Sequence, residues 1–280
     1  MPPSPAGHDT EKVNSCPHCA GVERTLWNHV PDDLSAVQCQ VCGLVYMDGR
    51  LTDAALKSFY DGYNQSRDAE QPQLLEKRRQ MYAPDRRFVQ LFLKGGRVLD
   101  VGCGRGDFLA GFGDTFEKVG YEIDRAAVSD GRRMHPDIEF LDNLSQGAAA
   151  FDAVIYRGTL QYQRDLGATA ALMAQNIKPD GWLFALQTPN AESPAAIVQR
   201  EKWVLHNKWE HLYTFSLKTL ATLFRGFEVV YYEFPYIGTP YENHPEDLKR
   251  FVSVCRQENT DARFPFWGSM MNVALRRTLH

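Results

Sequence analysis

From residue 97 onward the chain alternates short apolar runs with helical stretches, and this rhythm restricts the fold more than any other feature. "RVLDVG", "KVGYEI", "IEFL", "FDAVIY", "WLFALQT", "FEVVYYEF" and "SMMNVALRR" are seven candidate strands, with Gly- or Asp-containing turns and helices between most of them. The alternation predicts an α/β domain over residues 94–280, a parallel-rich, Rossmann-like sheet covered by helices on both faces. No internal repeat and no long low-complexity tract interrupts it.

A chain of 280 residues has room for a second, smaller unit. Four of its six cysteines fall into two C-x-x-C pairs, Cys16/Cys19 and Cys39/Cys42, with 19 residues between the pairs. That spacing is expected of a structural zinc site, and in a reducing compartment such pairs are metal ligands more often than disulfides. Each pair forms a tight turn that aims two sulfurs at one ion, and Gly43 suits the second turn. Four thiolates close a tetrahedron around Zn2+ and leave no open position for water, so the metal is expected to be a staple and His18 and His29 to be surface residues. Residues 14–50 therefore read as a zinc ribbon.

Residues 1–13 lack a basic-then-apolar signal pattern and read as a disordered leader. Residues 51–93 read as a helical linker or lid, with Thr52 as a cap and Pro84 marking a break or a new helix start. No run of about 18 apolar residues is present, so no membrane association is expected and a cytoplasmic location is the default. The formal net charge of −4 gives no overall pull toward nucleic acid.

The first strand of the large domain runs into "VLDVGCGRGDFL". Asp100 closes the strand, and Gly102, Gly104 and Gly106 allow a sharp turn and a close approach of backbone to a ligand. A dinucleotide fingerprint would place its third glycine at 107, which is Asp107, so the turn alone does not name the ligand. The second strand ends at Glu122, 22 positions after Asp100, where a carboxylate can accept hydrogen bonds from two ribose hydroxyls.

With these residues the sequence resembles the class I S-adenosylmethionine-dependent methyltransferases. "VLDVGCGRGDFL" is similar to their first motif, "VGYEID" to the second, "FDAVIYRGTLQY" to the fourth strand and "IKPDGWLFALQTPN" to the turn and strand that follow. The ribbon with "CGLVYM", then "FYDGY", "TPN" and "EHLYTFS", resembles a bacterial subgroup with an N-terminal four-cysteine zinc ribbon, whose substrates are often sugars or secondary metabolites. The resemblance implies that Asp100 and the backbone around Gly102, Cys103 and Gly104 hold the methionine moiety of S-adenosyl-L-methionine. It implies further that Glu122 holds the ribose, Ile123 packs on the adenine, Asp142 accepts from the adenine amine, and Arg157 belongs to the donor site.

On the acceptor side, many relatives follow the fourth strand with an acid-histidine pair, where this chain has Gln161 and Tyr162. Methyl transfer to a hydroxyl benefits from a base, and a histidine suits that role. Residues 191–215 form an insertion beyond the carboxyl ends of the strands, where acceptors bind. Within it lie His206 and His211, the latter just before a helix expected to start at the capping residue Ser216. On a helix these two histidines would diverge by about 140°, and the H-x-x-E-H pattern fails at Asn207, so a metal site there is not expected. Catalytic candidates are therefore His211 and Tyr162, with His206 second to His211; His211 can equally be a buried structural residue, and Tyr162 a packing one. Trp203, Trp209, Tyr213 and Phe215 form an aromatic wall for a sugar or ring, or else fill core.

The expected reaction is methylation of a small-molecule acceptor, a sugar or secondary metabolite, at oxygen. A zinc-ribbon RNA methyltransferase is the rival reading. Between Asn14 and Arg50 it would have to rest on Arg24 and Arg50 against Glu23, Asp32, Asp33 and Asp48, which is an acidic surface, so nucleic acid is not the expected partner. A non-catalytic module that binds the donor is the other alternative.

Overall fold

The computed structural model describes residues 9–30, 34–60, 72–144, 150–199, 203, 210–256, 258 and 267–278. The seven expected strands are present: β6 (Gly96–Val101), β7 (Phe116–Tyr121), β8 (Ile138–Leu141), β9 (Phe151–Arg157), β10 (Ile177–Pro189), β12 (Phe227–Glu233) and β13 (Met270–Arg277). They form one sheet in the order β12-β13-β10-β9-β6-β7-β8, in which β13 runs antiparallel to both of its neighbours and the β8-to-β10 ladder is parallel.

The sheet is apolar on both sides, as a strand covered on two faces must be. Val98, Ile155, Phe184 and Leu186 face one core cluster, together with Phe88 and Val89 of the helix α2 (Pro72–Phe92) and Phe108 and Leu109 of α3 (Asp107–Ala110). Leu99, Val154, Leu183 and Val273 face the other, against α5 (Leu166–Asn176) and α7 (Leu217–Leu223). The helix α4 (Arg125–Met134) is capped by Asp124, and α7 begins at a capping box of Ser216 and Thr219, at the N-cap read from the sequence.

Two readings need correction. Pro84 neither breaks nor starts a helix: α2 runs through it, because the residues flanking the proline, Met81, Asp85, Phe88 and Val89, are all buried against the sheet and hold the helix together. Residues 10–12, read as part of a disordered leader, form β1 (Thr10–Lys12), which pairs with β5 (Gly49–Leu51). Arg50 and Arg164 both bind Glu11 and fix this edge. Residues 1–8 lie outside the described residues.

The ribbon is built on β2 (Arg24–Val30), β3 (Leu34–Cys39) and β4 (Val45–Met47), followed after β5 by α1 (Asp53–Tyr60). Its sheet has a fourth strand from far along the chain, β11 (Tyr213–Thr214), which pairs with β4. One ribbon face joins the main core: Val37, Leu44 and Tyr46 pack in the same cluster as Leu160, Phe215 and Leu220. The other face, with Ala36, Val45 and Met47, packs on Ala191, Leu56 and Phe59. The remaining helices are α6 (Pro194–Gln199) and α8 (His244–Cys255). None of the described helices is long and apolar enough to cross a membrane.

Candidate active site

The turn after β6 is left-handed at all three glycines, with φ of +79° at Gly102, +56° at Gly104 and +85° at Gly106, which explains why glycine recurs there. A Cβ on Gly102 would fall 2.5 Å from Cγ2 of Thr159, so the turn packs directly on the loop after β9. A Cβ on Gly104 would meet nothing within 4 Å. The backbone at Gly104 thus borders open space, a cradle that a side chain would fill and that a ligand can approach.

Glu122, one residue beyond β7, closes the other side of this cradle. Its Oε2 accepts from the Gly104 N–H at 2.9 Å, and its Oε1 from the N–H groups of Ile123 and Asp124 at 2.8 and 3.0 Å. Three backbone donors therefore fix the carboxylate between the ends of two adjacent strands, with further lone-pair capacity on Oε2. Beside it the Ile123 side chain is 54% exposed, an apolar surface open to a planar ring.

Asp100 is buried at the end of β6, and its Oδ1 has no hydrogen-bond partner among the described residues. Burial raises its pKa to about 7, opposed by the charge of Arg157 and reinforced by that of Glu122. A buried, unsatisfied carboxyl beside an open cradle fits a cationic ligand group.

The side chains of three other residues of the expected donor site have partners of their own. The Cys103 thiol turns into the core, where a Cβ on Gly120 would sit 2.6 Å from its Sγ, and burial raises its pKa; only its main chain lies on the turn. Asp142 follows β8 as expected, but its side chain is 87% exposed and pairs with Arg132 at 3.4 Å. Arg157 leaves the end of β9 toward α2, its Nε 2.7 Å from Oδ2 of Asp85 and its guanidinium over the Tyr82 ring at 4.5 Å. Its charge acts on Asp100 and opposes the rise of that carboxyl's pKa.

The partner of Arg157 is a residue that sequence reasoning missed. Asp85 is fully buried and also accepts from Gln187 Nε2 at 2.9 Å and Asn272 Nδ2 at 3.4 Å, joining α2, β9, β10 and β13. Burial raises its pKa while Arg157 and Gln187 oppose the rise. The available signal was a carboxylate on the apolar stripe of α2, in helical step with Met81, Phe88 and Val89. Gln187 itself has φ +51° at an irregularity in the β10–β13 ladder.

On the acceptor side, Tyr162 lies in the short 3₁₀ turn Leu160–Tyr162 and His211 just ahead of β11. Their Oη and Nε2 are 2.9 Å apart, and His211 is only 5% exposed. Gln161 turns away and donates to the Gly158 carbonyl at 2.9 Å. The aromatic wall does not form as an open surface. Trp203 is fully buried with Ala195 and Ala196, and Tyr213 and Phe215 lie in the main core, because these rings fill the space between insertion, ribbon and sheet. His206 and Trp209 lie outside the described residues.

The four sulfurs of Cys16, Cys19, Cys39 and Cys42 lie within 4.8 Å of one another, and two pairs, Cys16–Cys42 and Cys19–Cys39, are 3.5 Å apart. A regular tetrahedron with metal–sulfur bonds of about 2.3 Å has edges of about 3.8 Å, so the donor set fits Zn2+. Two matching knuckles produce it. In the first, the Cys16 N–H donates to the Gly21 carbonyl and Ala20 has φ +59°; in the second, the Cys39 N–H donates to the Leu44 carbonyl and Gly43 has φ +83°. It is the one cluster of potential metal ligands of this kind among the described residues.

Comparison with known proteins bears on the family and the fold. The profile of a family described as a methyltransferase domain matches residues 74–232. Among solved structures, the chain is similar to a 1,6-didemethyltoxoflavin-N1-methyltransferase from Burkholderia thailandensis, with 19% identity and a TM-score of 0.54, over 91% of this chain and 99% of that one. A chain from the complex between the Haloferax volcanii Trm112 methyltransferase activator and a methyltransferase gives 17% identity and a TM-score of 0.56, over 80% and 97%. An S-adenosylmethionine-dependent methyltransferase from Thermotoga maritima gives 17% and 0.54, over 78% and 100%. At these identities the likeness is one of fold. No curated protein sequence matches the chain.

Proposed function

We infer the reaction from the fact that this chain belongs to the methyltransferase-domain family and is an S-adenosylmethionine-dependent methyltransferase: it methylates an oxygen of a small molecule, a sugar or a secondary metabolite. The donor, when bound, supplies the methyl group on a sulfonium. In this reading the main chain at Gly102, Cys103 and Gly104 lies along the methionine moiety, Asp100 takes its cationic group, Glu122 takes the ribose hydroxyls and Ile123 the adenine. Arg157 serves by setting the charge state of Asp100, and Asp142 stands at the rim.

The observation that carries the oxygen acceptor is the 2.9 Å contact between Tyr162 Oη and His211 Nε2. An acceptor hydroxyl set against Tyr162 passes its proton to Oη as Tyr162 passes its own to Nε2, which leaves an oxygen nucleophile and a protonated imidazole. A base so placed is typically worth about 10²–10⁴-fold in rate. His206, in the same insertion, is a second contact for the acceptor. The small-molecule class is supported by the acidic ribbon and by analogy with the Burkholderia enzyme, which is described with 1,6-didemethyltoxoflavin bound. The four thiolates would hold a structural Zn2+ with no open position for a substrate.

The test is His211→Ala, assayed for S-adenosylhomocysteine release against a panel of hydroxylated sugars and metabolites. The variant should keep a melting shift of several degrees on saturation with S-adenosylhomocysteine while turnover falls by about 10²-fold or more. Full turnover would remove His211 as the base.

A further inference from the structure

We propose that the four-cysteine ribbon is the positioning device for the Tyr162–His211 pair, so that metal binding at the four cysteines sets the geometry of the acceptor side. The inference rests on the reading of that pair given above.

Both members of the pair are held by the ribbon, through different strands. His211 precedes β11, which completes the ribbon sheet: Tyr213 pairs with Tyr46 and Thr214 with Val45, and the Leu212 carbonyl accepts from the Met47 N–H at 3.0 Å. The strand β4 begins three residues after Cys42, and the Leu44 carbonyl between them is the acceptor that closes the second cysteine knuckle at 2.9 Å. A short, continuous run of backbone therefore connects the sulfur cage to the residue beside His211. Across the sheet from this run, Phe215 is tied to the end of β10, its carbonyl accepting from Ala191 at 2.8 Å.

Tyr162 is held through Arg164. The Arg164 side chain donates to the Leu51 carbonyl at 2.6 Å and to Glu11 at 2.9 Å, which are the two strands of the ribbon's edge pair. Its own carbonyl accepts from Arg50 at 2.7 Å and from the Tyr213 hydroxyl at 3.0 Å. Ribbon strands thus grip the segment two residues after Tyr162 and the segment one residue after His211, and the side chains meet between the two grips. A two-residue strand such as β11 gains little from its own hydrogen bonds; beyond the burial of Tyr213 and Phe215 in the main core, its register beside His211 is set by β4. The sulfur cage fixes β4 when metal is bound, because structural zinc contributes directly to the folding of the segment that ligates it.

The readout is the reactivity of His211 toward diethyl pyrocarbonate in the full-length, zinc-loaded chain, followed by peptide mass spectrometry. His135, which is hydrogen-bonded to Asp107 at 3.0 Å and takes no part in the ribbon contacts, is the internal reference. Chelation should raise the His211 rate by roughly tenfold or more, leave His135 unchanged, and be reversed by added zinc. An unchanged His211 rate in metal-free protein overturns the proposal. If chelation exposes both histidines alike, the metal stabilises the whole fold and Arg164→Ala decides. With zinc retained and His135 unchanged, a faster His211 supports the proposal and an unchanged one overturns it. Loss of the base role in His211→Ala would leave these protection results untouched, so the two readings fail separately.

Discussion

The proposed role of Asp100 in holding the donor's cationic group predicts a pH-sensitive binding event whose size can be worked out. In the donor-free chain its carboxyl titrates at about 7, because burial outweighs the opposing charge of Arg157. The folded state therefore holds a proton that the unfolded chain has lost, and the stability of the donor-free protein falls as pH rises from about 4 through 7. A cationic group set against Oδ1 favours the ionised form, so affinity for S-adenosylmethionine should rise with pH across the same carboxyl and level off above it. For a site that must be ionised to bind, a pKa near 7 implies an affinity roughly 25-fold higher at pH 7.5 than at pH 5.5, or about 1.9 kcal/mol. Isothermal titration calorimetry at pH 6 in two buffers of different ionisation enthalpy should show about 0.9 proton released per donor bound. Asp100→Asn should bind weakly with a flat profile. Equal affinity at the two pH values together with no net proton release would refute both the raised pKa and the assignment of Asp100 to the donor.

Two glycine variants separate folding from binding. Gly104→Ala places its Cβ in open space at φ +56°, so it should cost only about 1 kcal/mol of stability yet abolish the melting shift produced by S-adenosylhomocysteine; Gly102→Ala adds a clash with Thr159 and should lower the melting temperature further. A full ligand shift in Gly104→Ala would mean that no ligand passes this turn. Asp85→Ala strips the partner from a largely buried guanidinium and should cost about 3–5 kcal/mol, roughly 10 °C in melting temperature, with Asp85→Asn falling short of that loss. A melting temperature within about 2 °C of the parent would show that Arg157 is held by other contacts.

What could be read from the sequence was what is encoded locally. Strands such as β6 and β9 show themselves as apolar runs because both of their faces are covered, the cysteine knuckles because a C-x-x-C turn is complete within six residues, and Ser216 because a cap acts on its own helix. Pairing between distant segments left no such trace. β11 is two residues long, too short for a period, and what fixes it is β4 together with the main core. Tyr162 and His211 were each singled out, but nothing in their neighbourhoods says that they touch. Asp85 was hidden by averaging: one carboxylate in an apolar helix stripe is diluted by its neighbours, and only the arrival of Arg157, Gln187 and Asn272 from three strands makes it a node. The aromatic residues of the insertion misled for the opposite reason, since the same rings serve a binding wall or a core and only burial distinguishes the two.

The pairing of Tyr46 with Tyr213 also has a consequence in time. During synthesis the cysteine knuckles emerge first and can close on metal, but the strand that completes their sheet is made 167 residues later. At about 5–20 residues per second this is a delay of roughly 8–30 seconds. Throughout that interval β4 presents an unpaired edge, a template to which any other extended segment can add. An early metal-bound knuckle would hold that edge short and fixed while it waits, and zinc supply during translation would then govern how much chain reaches the native pairing.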